Sequence, residues 1–256
     1  MNDNKAIVNG PVAILASLVT GILLLGCSSD EMPTPGFAEP PTTYFLTEEV
    51  LVVEDPTNTF ADQNFFTYNS NGKLAGDGIF YNGEDQLIQS PWPNRTVLTG
   101  LYYYTQGRAD SIVTYGHPRY TLFFDMEYSG DQISEIRIYR KENDESTLTL
   151  IEDMIITYPA MNEIKVESEN TILNFYLDEG RSPYPYEYRL SHWWWPYSQN
   201  ISLILTDRNV QKLIVTTDGD VTSEIAFTYD YNEFGFPTRS TLGNRSKFFK
   251  YAETPN

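Results

Sequence analysis

The sequence predicts an all-β fold, a long antiparallel meander curled into a barrel-like or two-sheet structure. Two observations carry this expectation. From Tyr44 onward apolar and polar residues alternate with period two, and short stretches rich in Asn, Asp, Ser and Gly separate the alternating runs. Successive side chains on a strand point to opposite faces, so such patterning belongs to half-buried strands. No stretch shows the 3.6-residue period of an amphipathic helix.

The clearest run places Tyr120, Leu122, Phe124, Met126 and Tyr128 on one face, alternating with Thr121, Phe123, Asp125 and Glu127 on the other. Leu148, Leu150, Met154 and Ile156 form a second such set, and Ile225, Phe227, Tyr229 and Tyr231 a third. Between the runs stand Asn69-Ser70-Asn71-Gly72, Asn82-Gly83, Ser129-Gly130-Asp131, Asp218-Gly219-Asp220 and Asn232-Glu233-Phe234-Gly235. These residues tolerate positive φ or cap tight turns. Tyr68, Tyr128 and Tyr231 each lead into one of them, so strand, tyrosine, polar turn and glycine read as a degenerate hairpin repeat.

A flat meander of roughly a dozen strands would expose its edges, so it must curl or pack as two sheets. A barrel facing lipid is disfavoured by Asp125, Glu127, Glu135 and Arg137, which put charge on the alternate face.

Three segments precede and form this domain. Residues 1–26 have a short start holding Lys5, then an apolar core from Val12 to Leu25, shorter than the roughly 20 apolar residues of a spanning helix. That is the pattern of a secretory signal peptide. Residues 27–43, rich in Ser, Thr and Pro, read as an extended tether. Residues 44–256 are expected to be a single all-β domain, long enough for one sizeable core.

Charge narrows the partners. With 35 acids against 17 bases the net charge is -18, and removing residues 1–26 takes away one acid, Asp3, and one base, Lys5. The mature chain therefore keeps the full negative charge. Nucleic acid is excluded as an expected partner, because phosphate binding needs clustered Lys and Arg.

Leu24-Leu25-Gly26-Cys27 resembles the lipobox of bacterial lipoproteins, which makes Cys27 the lipidated first residue and the membrane anchor. Cys27 is the only cysteine, so an intramolecular disulfide has no second partner. Ser28 follows it where many inner-membrane lipoproteins carry Asp, and Asp30-Glu31 is similar to the acidic surface-export signal of Bacteroidota lipoproteins. Together with turns such as Tyr229-Asp-Tyr-Asn-Glu-Phe-Gly-Phe-Pro-Thr, these features resemble the uncharacterised surface lipoproteins of Bacteroidota, among them a family of unknown function with a porin-like β fold. The turns are also similar to the tyrosine-aspartate repeats of Rhs-type shells, though less regular. The resemblance implies an outer-membrane lipoprotein facing outward, and it transfers no functional residues.

One local constellation stands out, Tyr184-Pro-Tyr186-Glu187-Tyr188-Arg-Leu-Ser-His192-Trp193-Trp194-Trp195-Pro-Tyr197. On a strand Trp193 and Trp195 would share a face. Aromatic faces stack on sugar rings, and Glu187, Arg189 and His192 supply hydrogen bonds to hydroxyls, so Trp193, Trp195, Tyr197, His192 and Glu187 form a candidate glycan site. The bland alternative is that these rings fill a wide sheet. Trp92, between Pro91 and Pro93, is read as part of a turn, either the opposite lip of that cleft or a loop anchor.

No cofactor or metal is expected. The chain lacks a Gly-x-Ser-x-Gly elbow, a phosphate-cradling loop and a His-Glu-x-x-His helix, and holds only His117 and His192. Gly76-Asp77-Gly78 and Asp218-Gly219-Asp220 lack the full calcium-loop pattern and read as turns. The expected function is a non-catalytic, lipid-anchored envelope protein with a binding or structural role, with glycan as the candidate ligand. Two alternatives remain at this point: a polysaccharide-degrading enzyme using two carboxylates, and a subunit that docks another envelope protein.

Overall fold

A computed structural model describes residues 38–39, 44–54, 59–92, 95–192 and 199–253, the side chains of 92, 95–98 and 199 excepted. The chain begins with β1 (Phe45–Val53), β2 (Phe60–Phe65) and a short hairpin of β3 (Thr67–Tyr68) and β4 (Leu74–Ala75). Next come β5 (Phe80–Tyr81), β6 (Leu87–Trp92), β7 (Arg95–Thr105), β8 (Arg108–Tyr115), β9 (Tyr120–Ser129) and β10 (Gln132–Glu142). The walk continues through β11 (Thr149–Ala160), β12 (Glu163–Glu167), β13 (Thr171–Arg181), β14 (Arg208–Thr217) and β15 (Asp220–Ala226). It ends with β16 (Thr228–Tyr231), β17 (Pro237–Leu242) and β18 (Arg245–Ala252).

Strands β5 to β15 make one 11-stranded sheet in which every neighbour in space is a neighbour in sequence, and a second sheet has the order β16-β17-β18-β1-β2. All pairings are antiparallel, including β18 with β1, which brings the end of the chain back to its first strand. Only Phe227 separates β15 from β16, and there the chain passes from one sheet to the other. The expected meander is therefore present in its two-sheet form. Among the described residues no pairing joins β5 to β15, so no closed barrel forms.

Alternation places the core as expected on β9, where Leu122, Phe124, Met126 and Tyr128 join one cluster with Ile136, Ile138, Met154, Ile156 and Phe175. The opposite face is charged: Arg137 is ion-paired with Glu127, with Asp125 at 3.5 Å and with Glu135 at 3.0 Å. One expected face is corrected. Leu148 and Leu150 are exposed, not aligned with Met154 and Ile156, because the β10–β11 register shifts between Ile138 and Tyr139 and sets Leu150 opposite the other face. A one-residue slip sends side chains to the other side.

Two further expectations are corrected. Pro91 and Trp92 end strand β6 and pair with Thr99 and Arg95 of β7, so they are not a turn. Proline fits there because β5 reaches only as far as Gln89, leaving Pro91 without a neighbour on that side. The chain also holds helices: α1 (Tyr186–His192), a 3-10 turn (Gln199–Ile201) and α2 (Ser202–Leu205), between β13 and β14. Seven and four residues are too few for a helical period to show in sequence. Leu190, Ile201 and Leu205 pack these helices into the main core. Among the described residues no helix is long and apolar enough to cross a membrane.

The aromatic-led turns have a common construction. In Asn69, Asn82 and Asn232 the side-chain oxygen accepts the backbone N–H groups two and four residues ahead, at 2.9–3.1 Å. The third residue after each asparagine, Gly72, Asp85 or Gly235, has positive φ. The tyrosines serve a second purpose. Tyr68, Tyr81, Tyr104, Tyr128, Tyr158, Tyr229 and Tyr251 each donate a hydroxyl to a carbonyl near the start of an earlier strand, at 2.7–3.1 Å. Buried hydroxyls need such partners, and these links tie hairpin to hairpin.

Candidate binding site

Between β13 and β14 the described residues 182–192 and 199–207 carry the helices, which pack against strands of both sheets. Tyr184 is the pivot. Its hydroxyl is hydrogen-bonded to Glu49 of β1 and accepts from Lys247 Nζ of β18 at 3.0 Å. Glu49 is only 3% exposed and meets Lys247 at 3.1 Å, so the buried carboxylate has a cation and a hydroxyl donor. Burial, then the field of Glu49, raises the Tyr184 pKa far above the usual phenol range.

Rings extend this network along the helix. Tyr184, just before α1, stacks on Tyr188 at 4.7 Å, and Tyr188 stacks on His192, one turn further along α1, at 3.7 Å. Phe66 and Phe249 meet Tyr188 and Tyr184 edge-on. His192 Nδ1 lies 2.9 Å from the Tyr188 carbonyl, and burial lowers its pKa from 6.5 to about 4. An unfolded histidine takes a proton near pH 6.5 and the folded one only near pH 4, so this contribution is full above pH 6.5 and is lost as pH falls toward 4. We expect stability to drop by about 1–2 kcal/mol between pH 7 and pH 5, and His192→Gln to flatten that slope in urea titrations. An unchanged slope in the variant would show that His192 is not the titrating group.

Glu187 is buried and paired with Lys73 of the β3–β4 turn at 3.2 Å. It thus ties α1 to that hairpin. His192 and Glu187 both lie on α1, so the strand alternation that put Trp193 and Trp195 on one face has no strand leading into it. Trp193, Trp195 and Tyr197, like Cys27, lie outside the described residues, as does the side chain of Trp92.

Beside Tyr184 is a cavity of about 290 Å³, between the helical segment, the start of β14 and the inner face of the five-stranded sheet. Tyr184, Phe227, Tyr229 and Phe249 give it aromatic walls, and Asn209 and Ser240 give it hydrogen-bonding groups. An open groove of about 660 Å³ shares Phe227 with it, near Tyr176 and Gln211. Among the described residues lining either space there is no Asp or Glu. Sequence reasoning missed this cavity. The one local signal was the alternation of Arg245, Lys247 and Phe249 on β18, which sets two cations on a face otherwise continuous with core positions.

A second polar cluster stands behind the cavity wall. Tyr231 is hydrogen-bonded to Asp178 and accepts from Asn209 Nδ2 at 3.2 Å, while Gly180 N–H donates to Asp178 at 2.9 Å. Burial raises the Asp178 pKa despite these bonds. Asn209 also donates to the Arg181 carbonyl at 2.9 Å, which holds the two ends of the helical segment together.

No family model matches the sequence, and no curated protein matches it. Among solved structures, a porin-like protein from Bacteroides uniformis is similar, with a TM-score of 0.50 and 14% identity over 84% of this chain and 100% of that chain. At that identity the likeness concerns the fold alone.

Proposed function

We propose that this chain is a lipid-anchored, non-catalytic binding protein of the cell envelope that takes a saccharide in the cavity beside Tyr184. The observation that carries the reading is the cavity lining, in which flat aromatic faces stand next to amide and hydroxyl groups. That combination suits a sugar ring, apolar on its faces and polar at its rim. The lipobox pattern at Cys27 supports the anchor, and Ser28 with Asp30-Glu31 supports an outer-membrane, outward-facing position. The ion-paired outer face around Arg137 supports a domain held beside the bilayer, since charge at mid-strand is costly against lipid. The two-carboxylate hydrolase draws no support from either space, because neither is lined by an acid among the described residues.

Intrinsic fluorescence tests this on the full-length chain, whose four tryptophans include three at 193–195, close in sequence to the cavity-lining Asn200. Titration with a panel of plant, host and bacterial-envelope oligosaccharides is expected to give a saturable shift that Ser240→Phe, which fills the cavity, abolishes. Loss in Trp193→Ala or Trp195→Ala would extend the site to the tryptophans. A flat response across the panel would overturn the saccharide reading. The anchor is tested separately: Cys27→Ser is expected to move the protein from the detergent phase to the aqueous phase on Triton X-114 partition.

Protein docking has one observation in its favour. All six residues of β2 are exposed, with Phe60 at 54% and Phe65 at 70%, and among the described residues β2 pairs on one side only. A free edge of that kind can accept a strand from another chain.

A further inference from the structure

We infer that the ligand of the cavity is an acidic saccharide, one bearing a carboxylate, and that Arg245 and Arg208 meet its charge. The inference rests on the saccharide reading above and adds the charge class. Acids outnumber bases 35 to 17 in the chain, yet the described lining contains three cations, Arg208, Arg245 and Lys247, and no acid. In a chain of net charge -18, a cavity lined in this way inverts the sign of the surroundings.

The arrangement follows from strand register. Arg245, Lys247 and Phe249 alternate on β18, so they share one face, and Leu51, Ser240 and Leu242 lie opposite on β1 and β17. On the larger sheet the equivalent inner positions are apolar, as at Phe124, Ile136 and Ile138. Arg245 is exposed, so water solvates it at the rim of the cavity, whereas the half-buried Lys247 must be solvated or paired. Lys247 is paired, with Glu49 at 3.1 Å. Arg208 donates one N–H to the Met161 carbonyl at 3.0 Å and its charge also reaches Asp178 behind the cavity wall, but neither it nor Arg245 has an ion pair within 4 Å among the described residues.

Guanidinium groups present parallel N–H donors that match the two oxygens of a carboxylate, and they discriminate charge better than a neutral donor does. Tyr229 and Phe227 would then hold the ring while the arginines select its acid group. Neither arginine is asked to react, so no bond is made or broken.

Isothermal titration of the full-length chain with trigalacturonate and with galactotriose separates the possibilities. The acidic trisaccharide is expected to bind about tenfold more tightly than the neutral one, the size of one charge-assisted hydrogen bond. Arg245→Gln and Arg208→Gln together should remove about that factor, bringing the affinity for the acid down to that for the neutral sugar measured on the same variant, with circular dichroism confirming the fold. Equal affinities for the two sugars would overturn the charge inference and leave the saccharide reading standing. Absence of heat with both at millimolar concentration would overturn both. A preference for the acid that survives the double substitution would remove Arg245 and Arg208 from the site.

Discussion

Alanine at Gly180 is expected to destabilise the protein by about 3 kcal/mol or more, at the upper end of what overpacking costs. Gly180 is buried, and a Cβ built on it would overlap Cε1, Cζ and the hydroxyl of Tyr231. The glycine is required by space, since its φ is not in the left-handed region. Tyr231 cannot easily yield, because its hydroxyl is held between Asp178 and Asn209. A cycle with Tyr231→Ala tests the mechanism. Once the ring is gone the added methyl should cost less than about 1 kcal/mol, so the two changes will be strongly non-additive. Additive losses in urea denaturation would show that the ring over Gly180 is not the cause.

The second large effect is alkaline unfolding within about one unit above pH 10. Burial raises the pKa of Tyr68, Tyr81, Tyr102, Tyr104, Tyr184 and Tyr188 from the usual value of 10.0. It does the same to Tyr229, Tyr231 and Tyr251, and pushes Tyr128 and Tyr158 up to about 12. A folded pKa above the unfolded one gives stability that is whole below pH 10 and is lost as pH rises through the folded value. Half a unit above pH 10, linkage puts the loss at about 0.8 kcal/mol for each fully buried tyrosine. Eleven such groups, several partly wetted, lose on the order of 5–9 kcal/mol together, comparable with the whole stability of a domain. The transition should be steep when followed by far-UV circular dichroism alongside phenolate absorbance at 295 nm. Phenolate appearing gradually in a still-folded protein would refute the assignment of these rings to dry positions.

Both effects arise from the same composition. The chain has 19 tyrosines, and several of them, such as Tyr68, Tyr128 and Tyr251, stand near the ends of strands and put their hydroxyls where an earlier strand begins. Tyr68 and Tyr128 stood out in the sequence as leads into turns, and the structure adds that each is also a cross-link. At Tyr231 the same motif does something else, covering Gly180 and bonding Asp178 instead of a carbonyl.

The candidate site was much less legible than the fold. Sequence alone suggests Glu187 and His192 as hydrogen-bonding groups for a ligand, whereas the structure engages one with Lys73 and stacks the other on Tyr188. The cavity draws instead on Tyr184, Arg208, Tyr229 and Lys247, from four separate parts of the chain. Tyr184 and its partner Glu49 are 135 residues apart, and the strand that brings Lys247 to Glu49 pairs the end of the chain with its beginning. The helix of α1 was hidden for a different reason, since seven residues after two prolines carry too little periodicity to compete with the strand pattern around them.

Alternation and turn chemistry act between residues a few positions apart, so the all-β class, the face of β9 that enters the core and the places where the chain turns are legible in the amino acids themselves. The tertiary structure alone decided that Leu150 faces outward after a register shift, that β18 closes on β1, and that two arginines and a lysine line one cavity. Those outcomes depend on which strands pair and in what register, and pairing over such separations is a property of the whole packed chain.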